Sequence, residues 1–422
     1  MSLHAVTAGF MPLLDSALLV IAREKGFARA EGIDLTLVRE ASWANIRDRL
    51  AAGNFQVAHM LAPMPIAGNL GLTPLGSRTI VPMALGLGGN AVTVADRLWE
   101  EMLRHGARAD LDPHANGSAL AATVRARRAA RAARLRFAVV HPHSAHHYEL
   151  RYWLAGCGVK PDHDIDTVIV RPSMMASALE AGEIDGFCVG EPWSTVAVTG
   201  GHARIATVKA AIWQSSPDKV LGAQEEWAEQ HPDALSGLVR AVYQAAAWCA
   251  EPAHRPELAA ILAGPGYVGV PAAWLEPALS GAIRVDAGTT RQVADFFIPF
   301  AKAATFPWKS HALWFYTQMV RWQQIRHETH HVATAADTYR PDIYRRVLRS
   351  MGAALPGANA KVEGGLEVAT PVGASGASLV LGPDGFFDGA RFDPDQVEAY
   401  IQSQREADEA GAPPEARDTP VR

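Results

Sequence analysis

The sequence predicts an α/β fold built as two lobes, and three observations carry that prediction. The chain opens with a strand–helix–strand–helix–strand rhythm, with apolar alternation over 3–10, 33–38 and 55–60. That rhythm predicts right-handed crossovers and a parallel sheet. A second set of strand-like runs follows at 137–140, 167–170 and 186–189. Between the sets, Gly86, Gly88 and Gly89 split two apolar stretches, as a bending lobe crossover requires. A length of 422 residues suits two or three domains, or two lobes of one fold.

Each element has a local reason. After the first strand, Pro12 precedes an apolar helix over about 16–27, and Gly32 introduces the strand 33–38. Ser42 is placed to cap a helix over 43–52, which Gly53 ends. Residues 98–136 differ in composition, with Arg125, Arg127, Arg128, Arg131, Arg134 and Arg136 set among alanines. They read either as a solvated helix face or as a partner contact. A helix over 148–156 ends in glycine, and another runs through 175–181. From about 216 the pattern is mostly helical. The tail from Gln402 is polar, carries Pro413 and Pro414, and is expected to be disordered.

Composition narrows the function. Lys plus Arg is 39 against 44 Asp plus Glu, a net charge of −5, which argues against a dedicated nucleic-acid binder. It does not exclude a small anionic ligand, because one pocket charge is invisible in a total. Cys157, Cys188 and Cys249 are odd in number and far apart, so neither a disulfide framework nor a Cys-rich zinc site is expected. No apolar run reaches the roughly 18–20 residues that span a bilayer, and no Lys or Arg precedes Arg23 as a secretory leader requires. The expectation is a cytoplasmic protein without membrane attachment.

Several residues could carry chemistry. The densest group is His141-Pro142-His143-Ser144-Ala145-His146-His147, between a strand and a helix. Ligands in open α/β sheets bind at such strand ends, and helix starts favour anions. Anion contact, plain structure and metal binding all remain open for this group. Trp43, at a helix start, either stacks on a planar ligand or packs as core. Glu191 and Trp193 follow the strand 186–189; Glu191 can orient a cationic neighbour and Trp193 can wall a pocket, or both serve an N-capping loop. Lys219 either supplies the charge a buried monoanion requires or is solvated. His327-Glu328-Thr329-His330-His331 matches H-E-x-x-H, so a zinc metallohydrolase with His327 and His331 as ligands and Glu328 as base is an alternative. The segment is polar throughout, which suits an exposed helix end better.

Longer strings resemble one family. They are Arg39-Glu40-Ala41-Ser42-Trp43-Ala44-Asn45-Ile46-Arg47-Asp48, His59-Met60-Leu61-Ala62-Pro63-Met64-Pro65, Arg151-Tyr152-Trp153-Leu154, Gly190-Glu191-Pro192-Trp193, Thr305-Phe306-Pro307-Trp308 and Trp314-Phe315-Tyr316-Thr317-Gln318-Met319. They resemble the nitrate- and bicarbonate-binding solute receptors of ABC transporters, with their cytoplasmic relatives, the nitrate sensors called NasS. The resemblance runs from about residue 5 to 400.

The resemblance implies a type II periplasmic-binding-protein fold, with one lobe over 1–92 plus 216–422 and the other over 93–215. It implies an anion held by Trp43, Asn90, His146 and Lys219, with Met64, Glu191 and Trp193 supporting them. Asn90 stands where the nitrate receptors use Gln, and Lys219 where the bicarbonate branch is acidic. No enzyme activity, cofactor or metal is implied. The expected function is that of a cytoplasmic nitrate or nitrite sensor in nitrate assimilation. Its partner would be an RNA-binding antiterminator of the NasT type, with no direct nucleic-acid contact. An extracytoplasmic nitrate receptor of an ABC transporter is the alternative.

Overall fold

His4–Phe10 forms the first strand, and Ile33–Arg39 and Val57–Leu61 pair with it in parallel on either side. The computed structural model describes residues 3–73 and 78–410. Lys219–Gln224 returns late in the chain to run antiparallel between Val57–Leu61 and Thr79–Ala84, completing a five-stranded sheet. Val57–Leu61 and Thr79–Ala84 are wholly buried, and the helices Ala17–Glu24 and Pro232–Ala250 pack together against this lobe.

A second five-stranded sheet is ordered Ala203–Val208, Asn90–Ala95, Gly186–Gly190, Leu135–Val139, Ile165–Ile169. Leu135–Val139 is parallel to both its neighbours, whereas Asn90–Ala95 is antiparallel to both of its own. The chain therefore changes sheet between Ala84 and Asn90 and returns between Val208 and Lys219. The boundary expected at 92 falls inside the strand Asn90–Ala95.

The two crossovers are tied together. The Leu85 N–H donates to the Lys219 carbonyl and the Gly88 N–H to the Ser216 carbonyl, both at 2.9 Å. Gly88 sits at φ +75°, and a Cβ there would lie 2.2 Å from the Phe296 carbonyl oxygen, so only glycine fits.

Among the described residues beyond 225 the chain is mostly helical but also pairs Ala282–Arg284 with Thr290–Gln292, Leu355–Pro356 with Ala374–Ser375, and Thr370–Val372 with Leu379–Leu381, all antiparallel. Val397–Ala410 is an α-helix that packs on Lys309–Arg321, with Arg321 paired to Asp408, so the disorder expected from Gln402 does not hold through residue 410. Burying Tyr400 and Ile401 supplies the apolar contact that a purely compositional reading misses. Residues 411–422, with the two prolines, lie outside the described residues.

The arginine group falls on and after the helix Pro113–Ala129. Arg127 pairs with Glu101, Arg128 with Asp164 and Arg134 with Asp166, so half of the group is matched by acidic neighbours on the same lobe.

Candidate functional site

Two helix starts aim at the space between the lobes. Ser42 accepts the Asn45 N–H at 3.2 Å and so caps Trp43–Ala51, which places Trp43 on the first turn. Ser144 does the same for Ala145–Gly156, accepting the His147 N–H at 3.2 Å and placing His146 at the helix start. Asn90 begins its strand opposite Gly190, and Lys219 begins its own opposite Leu61. All four side chains are at most 1% exposed.

They meet in one buried polar cluster drawn from both lobes. The Lys219 ammonium lies 5.6 Å from the Trp43 ring centroid and 2.9 Å from Asp15 Oδ2, and it also pairs with Asp218. His146 Nδ1 is 3.6 Å from the other oxygen of Asp218. Lys209 reaches Glu149 at 3.3 Å, Asp218 at 3.4 Å and the Pro217 carbonyl at 2.6 Å. His59 Nε2 stands 2.9 Å from Asp15 Oδ1, while its Nδ1 accepts the Met11 N–H at 3.4 Å. Asn90 Oδ1 and Asp15 Oδ2 both crowd Gly190, where a Cβ would lie 3.0 and 3.3 Å from them. The lobes also touch directly, the Leu14 N–H donating to the Glu191 carbonyl at 2.8 Å.

Among the described residues, Trp43 Nε1, both polar atoms of the Asn90 amide and His146 Nε2 are buried without a hydrogen-bond partner. Buried polar groups are normally paired, because leaving one unmet costs about 1–3 kcal/mol. Three such donor groups from both lobes, beside an ammonium, make an arrangement suited to a small ligand rich in acceptor atoms.

The electrostatics differ from the sequence reading in one respect. Lys219 is not a free charge: Asp15 and Asp218 flank it. Burial alone would push both carboxyls up, but Lys219 and His59 hold Asp15 below the usual carboxylate range, and Lys209 and Lys219 hold Asp218 well below it. Burial likewise opposes the charge on Lys219, and the two carboxylates raise its pKa despite that. Burial lowers His146, against the pull of Asp218. Glu149 is pushed up to about 8 by burial, partly offset by Lys209, so it is protonated at neutral pH.

The sequence reading missed Asp15, His59, Lys209, Glu149 and Asp218. Asp15 had a signal, as an acid inside an apolar run, and Asp218 adjoins Lys219; the others become visible only once the strands are placed. Glu191 is buried, accepts the Thr195 N–H at 3.1 Å and is raised to about 7 by burial. Trp193 opens the helix Trp193–Thr199 with its Nε1 unpartnered, and Met64 is buried on Pro63–Asn69. Of the histidine string, only His146 reaches the cluster through Asp218; His143 bonds the Tyr148 hydroxyl and His147 the Pro142 carbonyl.

The H-E-x-x-H reading fails on geometry. The helix begins only at Thr329, so His327 and Glu328 precede it, and His327 Nδ1 engages the Tyr316 hydroxyl at 3.0 Å. His327 and His331 therefore do not share a helical face. Glu328, His330 and His331 gather instead on the surface.

Fold and site together define a two-lobed protein whose buried polar cluster between the lobes suits a small polar ligand. Residues 2–263 match the NMT1-like family, and the chain belongs to it. It is 32% identical over 406 residues to the nitrate/nitrite binding protein NrtA of Synechococcus elongatus, covering 94% of this chain and 85% of that one. It is 34% identical over 350 residues to the nitrate import ATP-binding protein NrtC of Synechocystis sp., covering 82% of this chain; the chain spans 50% of the length of NrtC. The solved periplasmic nitrate-binding protein NrtA from Synechocystis PCC 6803 superposes with a TM-score of 0.83 at 26% identity, covering 95% of this chain and 98% of that one. The fold is thus that of the type II periplasmic binding proteins, and the relatives are named for nitrate binding and nitrate import.

Proposed function

We propose that this chain is a receptor for nitrate or nitrite serving an ABC importer. The observation that carries the reading is the set of unpartnered buried donors, Trp43 Nε1, Asn90 Nδ2 and His146 Nε2, contributed by both lobes beside Lys219. A small planar oxyanion has acceptors all round its rim. It would satisfy those donors while bridging the lobes, so binding favours closure. The names of its relatives supply the class of anion and the link to import.

The cytoplasmic sensor reading, with a NasT-like antiterminator as partner, rests on the resemblance of sequence strings alone. The importer reading takes precedence because one of the relatives named above, NrtC, is a nitrate import ATP-binding protein. Isothermal calorimetry with nitrate, nitrite, bicarbonate and sulfate tests the ligand. Nitrate or nitrite is expected to bind, and Lys219→Ala to weaken binding at least a hundredfold. Binding of bicarbonate alone would overturn the assignment. Co-purification with a membrane permease, against co-purification with an RNA-binding protein, separates importer from sensor.

A further inference from the structure

We propose that the anion enters this site together with a proton, which His146 takes up between the Asp218 carboxylate and the bound anion. The inference rests on the reading of the site as an anion receptor. Its basis is the charge already assembled there. Two ammonium groups, Lys209 and Lys219, face two carboxylates, Asp15 and Asp218, within one buried cluster; a third acid, Glu149, lies 3.3 Å from Lys209 but is raised to about 8 by burial and adds no charge at neutral pH. Those charges match before any ligand arrives. A monoanion added alone would leave a buried net negative charge, which is strongly unfavourable at so little exposure.

His146 is the group placed to relieve that charge. Both ring nitrogens are buried without a hydrogen-bond partner, Nδ1 facing Asp218 at 3.6 Å. A doubly protonated ring, drawn a few tenths of an ångström closer to Asp218, would donate from Nδ1 to that carboxylate and from Nε2 to the anion, making both hydrogen bonds charge-assisted. The groups acting on it are Asp218 and Lys219 at the start of the returning strand, Lys209 from the short helix Lys209–Ile212, and His147 on its own helix; Glu149 on that helix faces Lys209, and Asp15 and His59 lie beyond Lys219. Burial keeps the ring below the ordinary histidine range without ligand, so it is free to accept a proton near pH 7. The proton comes from solvent, and no covalent bond changes.

Calorimetry of nitrate binding at pH 7.5 in buffers of different ionisation enthalpy, such as Hepes and Tris, counts the protons directly. The expected result is uptake of about 0.5–1 proton per nitrate, with affinity falling toward tenfold per pH unit above neutrality. Binding with uptake below about 0.2 from pH 6 to 8.5 overturns this inference alone. Failure of nitrate to bind at any pH overturns the functional reading and this inference with it. His146→Gln keeps a donor toward the anion and is expected to bind more weakly without uptake; uptake persisting at the wild-type level in that variant would also overturn the assignment to His146.

Discussion

Lys219 and Asp15 are 204 positions apart in the chain, yet Nζ lies 2.9 Å from Oδ2 in the interior. The pair joins the strand that returns from the second lobe to the first turn after the opening strand. It aligns Lys219 beneath the Trp43 ring and holds its charge in place without solvent.

That pair sets the first expected outcome. Asp15→Ala leaves the buried ammonium with only one of its two carboxylates, and breaking a buried pair in this way costs about 3–5 kcal/mol. Urea unfolding should show the loss, and Asp15→Asn should lose less because the amide still accepts a hydrogen bond. A loss below about 1 kcal/mol for the alanine variant would mean that solvent reaches this cluster.

Trp43 offers a cleaner separation of binding from folding. Trp43→Phe retains an aromatic face but removes the unpartnered Nε1 donor. A hydrogen bond to a charged group contributes about 1.5–3 kcal/mol, so nitrate affinity should fall by roughly ten- to a hundredfold while the thermal midpoint drops only a few degrees. Calorimetry and a thermal melt on the same sample check both halves.

Glu149 gives a pH signature. Its carboxyl is raised from 4.5 to about 8, chiefly by burial. The folded protein therefore retains a proton that the unfolded chain releases across that window, and this group's contribution to stability is lost as pH rises from about 4.5 to 8. Glu191, raised to about 7, acts with the same sign. His146, lowered by burial, has the opposite sign, its contribution being lost as pH falls through the ordinary histidine range. Replacing Glu149 by Gln should flatten the descent, by at most about 1.4 kcal/mol per pH unit. Chemical unfolding of both proteins at pH 5, 6, 7 and 8 isolates the difference.

The crossover predicts a backbone effect far from any ligand atom. Gly88→Ala forces a Cβ into the Phe296 carbonyl at a positive φ, costing more than about 2 kcal/mol. Gly106→Ala, at a positive φ with open space around it, should cost only about 1 kcal/mol. Comparable losses for the two variants would count against the packing argument at Gly88.

The strands and the capped helix starts were legible because they are local: alternation over 33–38 and Ser42 before an apolar turn need no tertiary information. Trp43, Asn90, His146 and Lys219 came from the resemblance, and the structure brings them into one cluster. The compensating charges did not come from it. Whether Asp218 pairs with Lys219, Lys209 or water depends on how two crossovers pack, and neighbours in the chain do not encode that. His327 illustrates the converse: the motif matched by letter, but the helix that would give the letters a shared face starts two residues too late.

The most direct measurement is a crystal structure of the protein grown with nitrate. The account predicts one nitrate between the lobes, its oxygens within hydrogen-bond distance of Trp43 Nε1, Asn90, His146 and Lys219. Nitrate bound elsewhere, or those four side chains separated around solvent with the anion at saturating concentration, would contradict it.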